Sequence, residues 1–212
     1  MDQGKFSEAE TLARQAFTLS QQMGCQHPHV IRALNILALI LQEQSKWSQV
    51  EAVYQESLPA IRVLLPTNEL QNALQLSVAL DRFAYSSLKD GKFVEAESLA
   101  RESLAIRENK FADEWLTFKT RALVGATLLG QSNYAAAEPF LLSGYVGMKQ
   151  RQQKVPAGGR PILKENVQRL VQLYESTGRT GQAGEWQLKL QEFDQPQADK
   201  RTAAPAAETS PK

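Results

Sequence analysis

Apolar residues along this chain recur at the three-to-four-residue spacing of helices, in stripes separated by short polar segments. Leu34, Leu37, Ala38 and Leu41 form one stripe, and Val50, Val53, Tyr54, Leu58 and Ile61 form the next. Between them lies Ser45-Lys46-Trp47-Ser48-Gln49-Val50-Glu51. Similar segments begin at Gly4, Gly91, Ser132 and Gly178. Their third residues, Phe6, Trp47, Phe93, Tyr134 and Thr180, are spaced by 41, 46, 41 and 46 positions. A repeat in the low forties is the mark of a stacked array of small units. Each segment offers a small residue for a tight reversal, then a polar one, then usually an aromatic to wedge between helices. Ala9, Ala96, Ala137 and Ala183 follow three residues on and permit close approach, with Val50 the bulkier exception.

The unit is therefore a helical hairpin, and the fold class all-α. Nine helices are predicted, over 6–20, 28–44, 47–63, 68–89, 93–108, 113–131, 134–151, 161–177 and 180–193. They group into hairpins at 28–63, 68–108, 113–151 and 161–193 within a solenoid over 1–194. The Pro- and Gly-containing stretch Val155–Pro161 is a loop. Residues 195–212, rich in Pro, Ala and Thr, read as a disordered tail. The first repeat lacks its first helix, which leaves Leu12, Ala16 and Phe17 of helix 6–20 uncovered. That end is expected to be the least stable part, and a surface for self-association.

Composition narrows the function classes. The 212 residues are 42% apolar and 22% charged, with 24 Lys plus Arg against 23 Asp plus Glu. A net charge of +1 argues against nucleic acid as partner. One cysteine forms no internal disulfide. The longest apolar run, Ile36–Leu41, is too short to span a bilayer, and the N-terminus lacks the apolar core of a signal peptide. A cytoplasmic protein without direct membrane insertion is expected.

Catalytic chemistry is not evident. Cys25, His27 and His29 alternate, but their spacing fits no usual zinc motif, and Pro28 suits the first turn of a helix. No metal or cofactor is expected. Gly158-Gly159 lacks the pattern of a phosphate loop. The pairs Glu8/Glu10 and Glu95/Glu97 read as solvated acids. Trp47 and Phe93 are expected to be largely buried between helices.

The stretches His27–Val30, Leu34–Ala38, Tyr54–Leu58 and Gly91–Glu108 (GKFVEAESLARESLAIRE) resemble the tetratricopeptide repeat, in the longer form of kinesin light chains. Trp115–Tyr145 and Leu170–Trp186 resemble the last repeats of arrays that follow the catalytic domain in bacterial serine/threonine protein kinases. Glycine-rich, HRD and DFG kinase segments are lacking here. The resemblance implies a right-handed superhelix whose first helices line a concave groove that takes a partner peptide or protein segment. It implies no enzyme activity. The alternative is the regulatory end of a kinase polypeptide.

Helical spacing places groove residues within that frame. They are Arg32, Asn35, Leu39 and Gln42, with Ile36, on the first of these helices. Asp81, Arg82, Tyr85 and Lys89 follow on the second and Lys119 on the third. Glu165, Gln168, Arg169, Gln172 and Glu175 lie on the fourth. Asn35 matches an asparagine that contacts bound backbone in similar repeats, and its amide both donates and accepts.

Overall fold

The computed structural model describes residues 3–22, 28–64, 69–154 and 159–194. Among these are nine α-helices, one short 3-10 helix at Gln152–Lys154, and no strand. The helices are α1 (Gln3–Gln22), α2 (Pro28–Glu43), α3 (Trp47–Leu64), α4 (Leu70–Lys89), α5 (Phe93–Lys110), α6 (Trp115–Gly130), α7 (Tyr134–Gln150), α8 (Gly159–Ser176) and α9 (Thr180–Asp194). They follow the sequence reading closely; the 3-10 turn has no counterpart in it. The tail at 195–212 and the Cys25–His27 motif lie outside the described residues.

One turn is repeated four times. Ser45, Gly91, Ser132 and Gly178 all have φ between 57° and 77°. The residue after each donates its N–H five positions back: Lys46 to Leu41, Lys92 to Ser87, Asn133 to Leu128 and Arg179 to Tyr174, at 2.8–2.9 Å. This left-handed residue with a six-to-one hydrogen bond closes the helix end and reverses the chain. The small residue seen in sequence is thus the one that leaves the right-handed region.

The same segments tie successive repeats together. Lys46 reaches Glu10 at 2.6 Å, Lys92 reaches Glu51, and Arg179 reaches Glu138 at 2.9 Å. At the fourth segment Asn133 is too short, and Gln131 donates to Glu97 instead, at 2.6 Å. Glu10 and Glu97 are therefore not simply solvated: each answers a donor one repeat further along. The Lys46 hydrogen bond holds the Glu10 carboxyl below the usual carboxylate range, against the opposing effect of burial.

Antiparallel neighbours stack throughout, and α2, α4, α6 and α8 also lie side by side. The array is an all-α solenoid of antiparallel hairpins, and the row of first helices forms one face. Leu34, Leu37, Leu41, Tyr54, Leu80, Leu141, Leu170 and Tyr174 run through the core with 2% exposure or less. Burying each such side chain contributes roughly 1.5–3 kcal/mol. The α6/α7 seam is the tightest. A Cβ on Gly144 would sit 2.9 Å from the Ala122 backbone N and the Phe118 carbonyl, and one on Gly125 would sit 2.9 Å from the Leu141 N.

Trp47 and Phe93 open helices at the turns and are largely buried, as expected, with the Phe93 ring against Gly130 of α6. Val50, in the place of the small alanine, is fully buried. The expectation for α1 is corrected in part. On α1, Phe17 and Ala13 are buried against α2, while Leu12 and Ala16 stay exposed.

Candidate functional site

The row of first helices encloses a cavity of about 600 Å³. α2 supplies Leu39 and Gln42, α4 supplies Asp81, Arg82 and Tyr85, α6 supplies Lys119, and α8 supplies Glu165 and Arg169. Spacing on four separate helices thus converges on one site. The apolar wall is Val78, Leu116, Leu123 and Ile162.

Two side chains come from second helices. Trp47, at the head of α3, faces the cavity and meets the Tyr85 ring edge-on at 5.7 Å. Arg107 of α5 reaches the cavity floor with 1% of its side chain exposed. A signal for it existed in the sequence. It sits on the same stripe as Leu99, Ala100, Ser103 and Leu104, and a charge on an apolar stripe calls for a buried partner.

That partner is Asp81, at 3.2 Å. Asp81 also accepts from Ser103 Oγ at 2.7 Å and from Thr120 Oγ1 at 2.9 Å. It is a structural anchor below the groove surface, 4% exposed. Asn35 is likewise held inside. It accepts from Tyr54 Oη at 2.9 Å and donates to Gln75 at 3.4 Å, with 8% exposure. Tyr54 stacks on Phe83 at 5.6 Å, and burial pushes its hydroxyl pKa far up, so it remains a donor.

The remaining residues are arranged for contact. Leu39 is 42% exposed. Gln42 and Arg82 bond reciprocally, Arg82 Nη1 to Gln42 Oε1 at 2.9 Å and Gln42 Nε2 to the Arg82 carbonyl at 3.1 Å. Tyr85 Oη and Lys89 Nζ reach from α4 to Glu165 on α8, at 3.3 and 3.1 Å, and Arg169 joins from the same helix at 2.8 Å. This strap spans two hairpins. Burial and the Glu165 charge push the Tyr85 hydroxyl pKa up. Burial pulls the Arg169 pKa down, opposed by Glu165.

Lys119 is half-buried beside these groups and makes no hydrogen bond or ion pair among the described residues. Burial pulls its pKa below the usual lysine value. Asp81 pushes it back, while Arg82 and Arg107 pull it further down.

Five named residues, Arg32, Ile36, Gln168, Gln172 and Glu175, lie elsewhere. Arg32 is exposed and lines a separate cavity of about 210 Å³ between α1 and α2, with Ala13, Ala16, Ser20, Ala33 and Ile36. Gln168 and Gln172 are exposed on α8 and do not line the main cavity. No group of three or more His, Cys, Asp or Glu among the described residues is placed to hold a metal. No helix among them is long and apolar enough to cross a membrane.

Comparison of the sequence with protein-family models and with curated proteins gives no match. Solved structures do match. A Podosopora anserina protein described as a putative kinesin light chain of nearly identical TPR-like repeats aligns at TM-score 0.67, with 13% identity over 91% of this chain and 88% of that one. A single-substitution variant of that protein gives 0.69 with the same coverage. BtubC (BKLC) from P. vanneervenii aligns at 0.55, with 12% identity over 97% and 99% of the two chains. At these identities the likeness establishes the fold: stacked TPR-like hairpins of the kinesin-light-chain type.

Proposed function

We propose that the chain is a non-catalytic interaction scaffold, cytoplasmic in setting, that captures a peptide or protein segment along the face formed by α2, α4, α6 and α8. The observation that carries this reading is the composition of that face. Exposed Leu39, the half-buried Tyr85 ring and the apolar wall offer area to bury. Arg82, Lys119 and Gln42 offer donors and an acceptor within the same cavity. Interfaces of this kind draw affinity from a few aromatic and arginine anchors in an apolar surround. Entry of a segment parts the strap to Glu165, a loss of only about 0–1 kcal/mol for partly exposed ion pairs.

The test is selection of binders from a displayed random-peptide library on the whole chain. Selected peptides should bind Leu39→Ala/Arg82→Ala/Tyr85→Ala at least about tenfold more weakly, since two of these types dominate hot spots. Helicity and melting should be retained. A control change, Val94→Ala on exposed α5, should leave binding unchanged. Equal binding to both variants would refute the reading.

The outer face of α1 supports a second contact, with another copy of the chain. Leu12 and Leu19 are 59% and 60% exposed there, beside exposed Ile36. Wild type should then sediment as a larger species with rising concentration, and Leu12→Glu/Leu19→Glu should not. A wild type that stays monomeric would reject that contact.

A further inference from the structure

The cavity floor carries positive charge that its own carboxylates leave unanswered. Arg82, Arg107, Lys119 and Arg169 line it, against Glu43, Asp81 and Glu165, four cations to three carboxylates. Asp81 is engaged by Arg107 and two hydroxyls, Glu165 by Arg169 and the strap, and Glu43 is exposed. Arg82 and Lys119 are left without a carboxylate. Arg82 Nη1 meets only the neutral Gln42 amide, and its Nε is buried without a partner. Arg107, almost wholly buried, leaves Nε and Nη1 unpartnered as well. A buried donor without an acceptor has lost its hydration with nothing in return, and a charged one loses most. Two cations on one cavity with no carboxylate of their own are what an anion would satisfy.

We infer that this cavity binds a small organic acid. Its carboxylate sits among Lys119, Arg82 and Arg107, and its hydrocarbon part lies on Leu116, Leu123 and Ile162. The single excess cation suits a monoanion. The apolar wall beside the cations suits a tail, and calls for something other than a bare inorganic ion. The volume falls within the roughly 300–1,000 Å³ of small-molecule sites. The strap from Tyr85 and Lys89 to Glu165 favours a compact ligand over an extended chain, whose entry parts it. The site shares the groove with segment capture and does not depend on it.

The probe is phenylacetate, titrated calorimetrically into the full chain at neutral pH, with phenylacetamide, inorganic phosphate and a short glutamate-rich peptide as comparisons. Saturable phenylacetate binding is expected, with Kd on the order of 1 mM or tighter, and a rise in melting temperature. Phenylacetamide should not bind. Lys119→Met and Arg82→Gln should each weaken binding by at least about tenfold, the loss of a charge-assisted contact. Each variant should fold as wild type by circular dichroism, so one still reports if the other does not. Equal affinity for the amide, unchanged affinity in both variants, or no binding of phenylacetate overturns the proposal. So does Lys119-dependent binding of phosphate or of the glutamate-rich peptide without phenylacetate. Phenylacetate binding without any selected peptide would leave this site standing and remove segment capture; the reverse result would do the opposite.

Discussion

Arg107 and Asp81 pair at 3.2 Å with 1% and 4% of their side chains exposed, and so join α5 to α4 beneath the groove. Ser103 and Thr120 donate to the same Asp81 carboxylate, which brings in α6. Removing one member leaves the other charged and buried. Arg107→Met, or Asp81→Asn, should destabilise by about 3–5 kcal/mol. Urea unfolding monitored at 222 nm would report it. A loss below roughly 1 kcal/mol would place the pair among ordinary surface bridges.

The α6/α7 seam makes a sharper steric prediction. Gly144→Ala drives a methyl to 2.9 Å from two backbone atoms, which cannot swing aside. It should cost about 1–3 kcal/mol, as overpacking does. Gly184 of α9 has nothing within 4 Å of the added Cβ. Gly184→Ala should instead stabilise by roughly 0.5–1 kcal/mol through helix propensity. Opposite signs for the two melting shifts are expected; a matched loss would mean that the seam is looser than described.

Much of the fold was legible because turn chemistry is local. A small residue in each segment marks the left-handed position, and the four turns at Ser45, Gly91, Ser132 and Gly178 then fix where helices end. The groove was legible in part for the same reason. Helical spacing on α4 placed Arg82 and Tyr85 on the cavity, and on α6 it placed Lys119. Stacking between repeats has no local signal. The reach of Lys46 to Glu10 spans 36 residues and depends on how one hairpin settles on the next, while that of Arg107 to Asp81 spans 26 within one hairpin and depends on how its two helices face each other. Asn35 shows the limit of face assignment. It lies on the predicted stripe, yet Tyr54 from the neighbouring helix draws its amide inward.

Lys119 links stability to pH. Its folded pKa is depressed by burial, so the unfolded chain holds this proton more tightly. Stability then rises with pH wherever the unfolded state binds more protons. The penalty of the charged amine is present at neutral pH and fades as pH climbs through the depressed value toward the ordinary lysine value, about 10.4. Lys119→Met should therefore melt higher than wild type at pH 7, by about 2–4 °C if the relief is near 1 kcal/mol. The gap should shrink toward pH 10. Comparing the two proteins cancels every other titration. A gap that is constant with pH, or of opposite sign, would show that the ammonium is stabilised where it sits. A variant that is more stable yet loses phenylacetate is the trade expected of a residue kept for binding.

Capture of a segment on the face of α2, α4, α6 and α8 is read out by a photo-reactive residue placed singly at Leu39, on that face, or at Val94, 73% exposed on α5. Each protein is irradiated with a library-selected peptide. An adduct is expected at position 39, suppressed by unlabelled peptide, with background labelling at position 94. Efficient, competable labelling at 94 with none at 39 would contradict it.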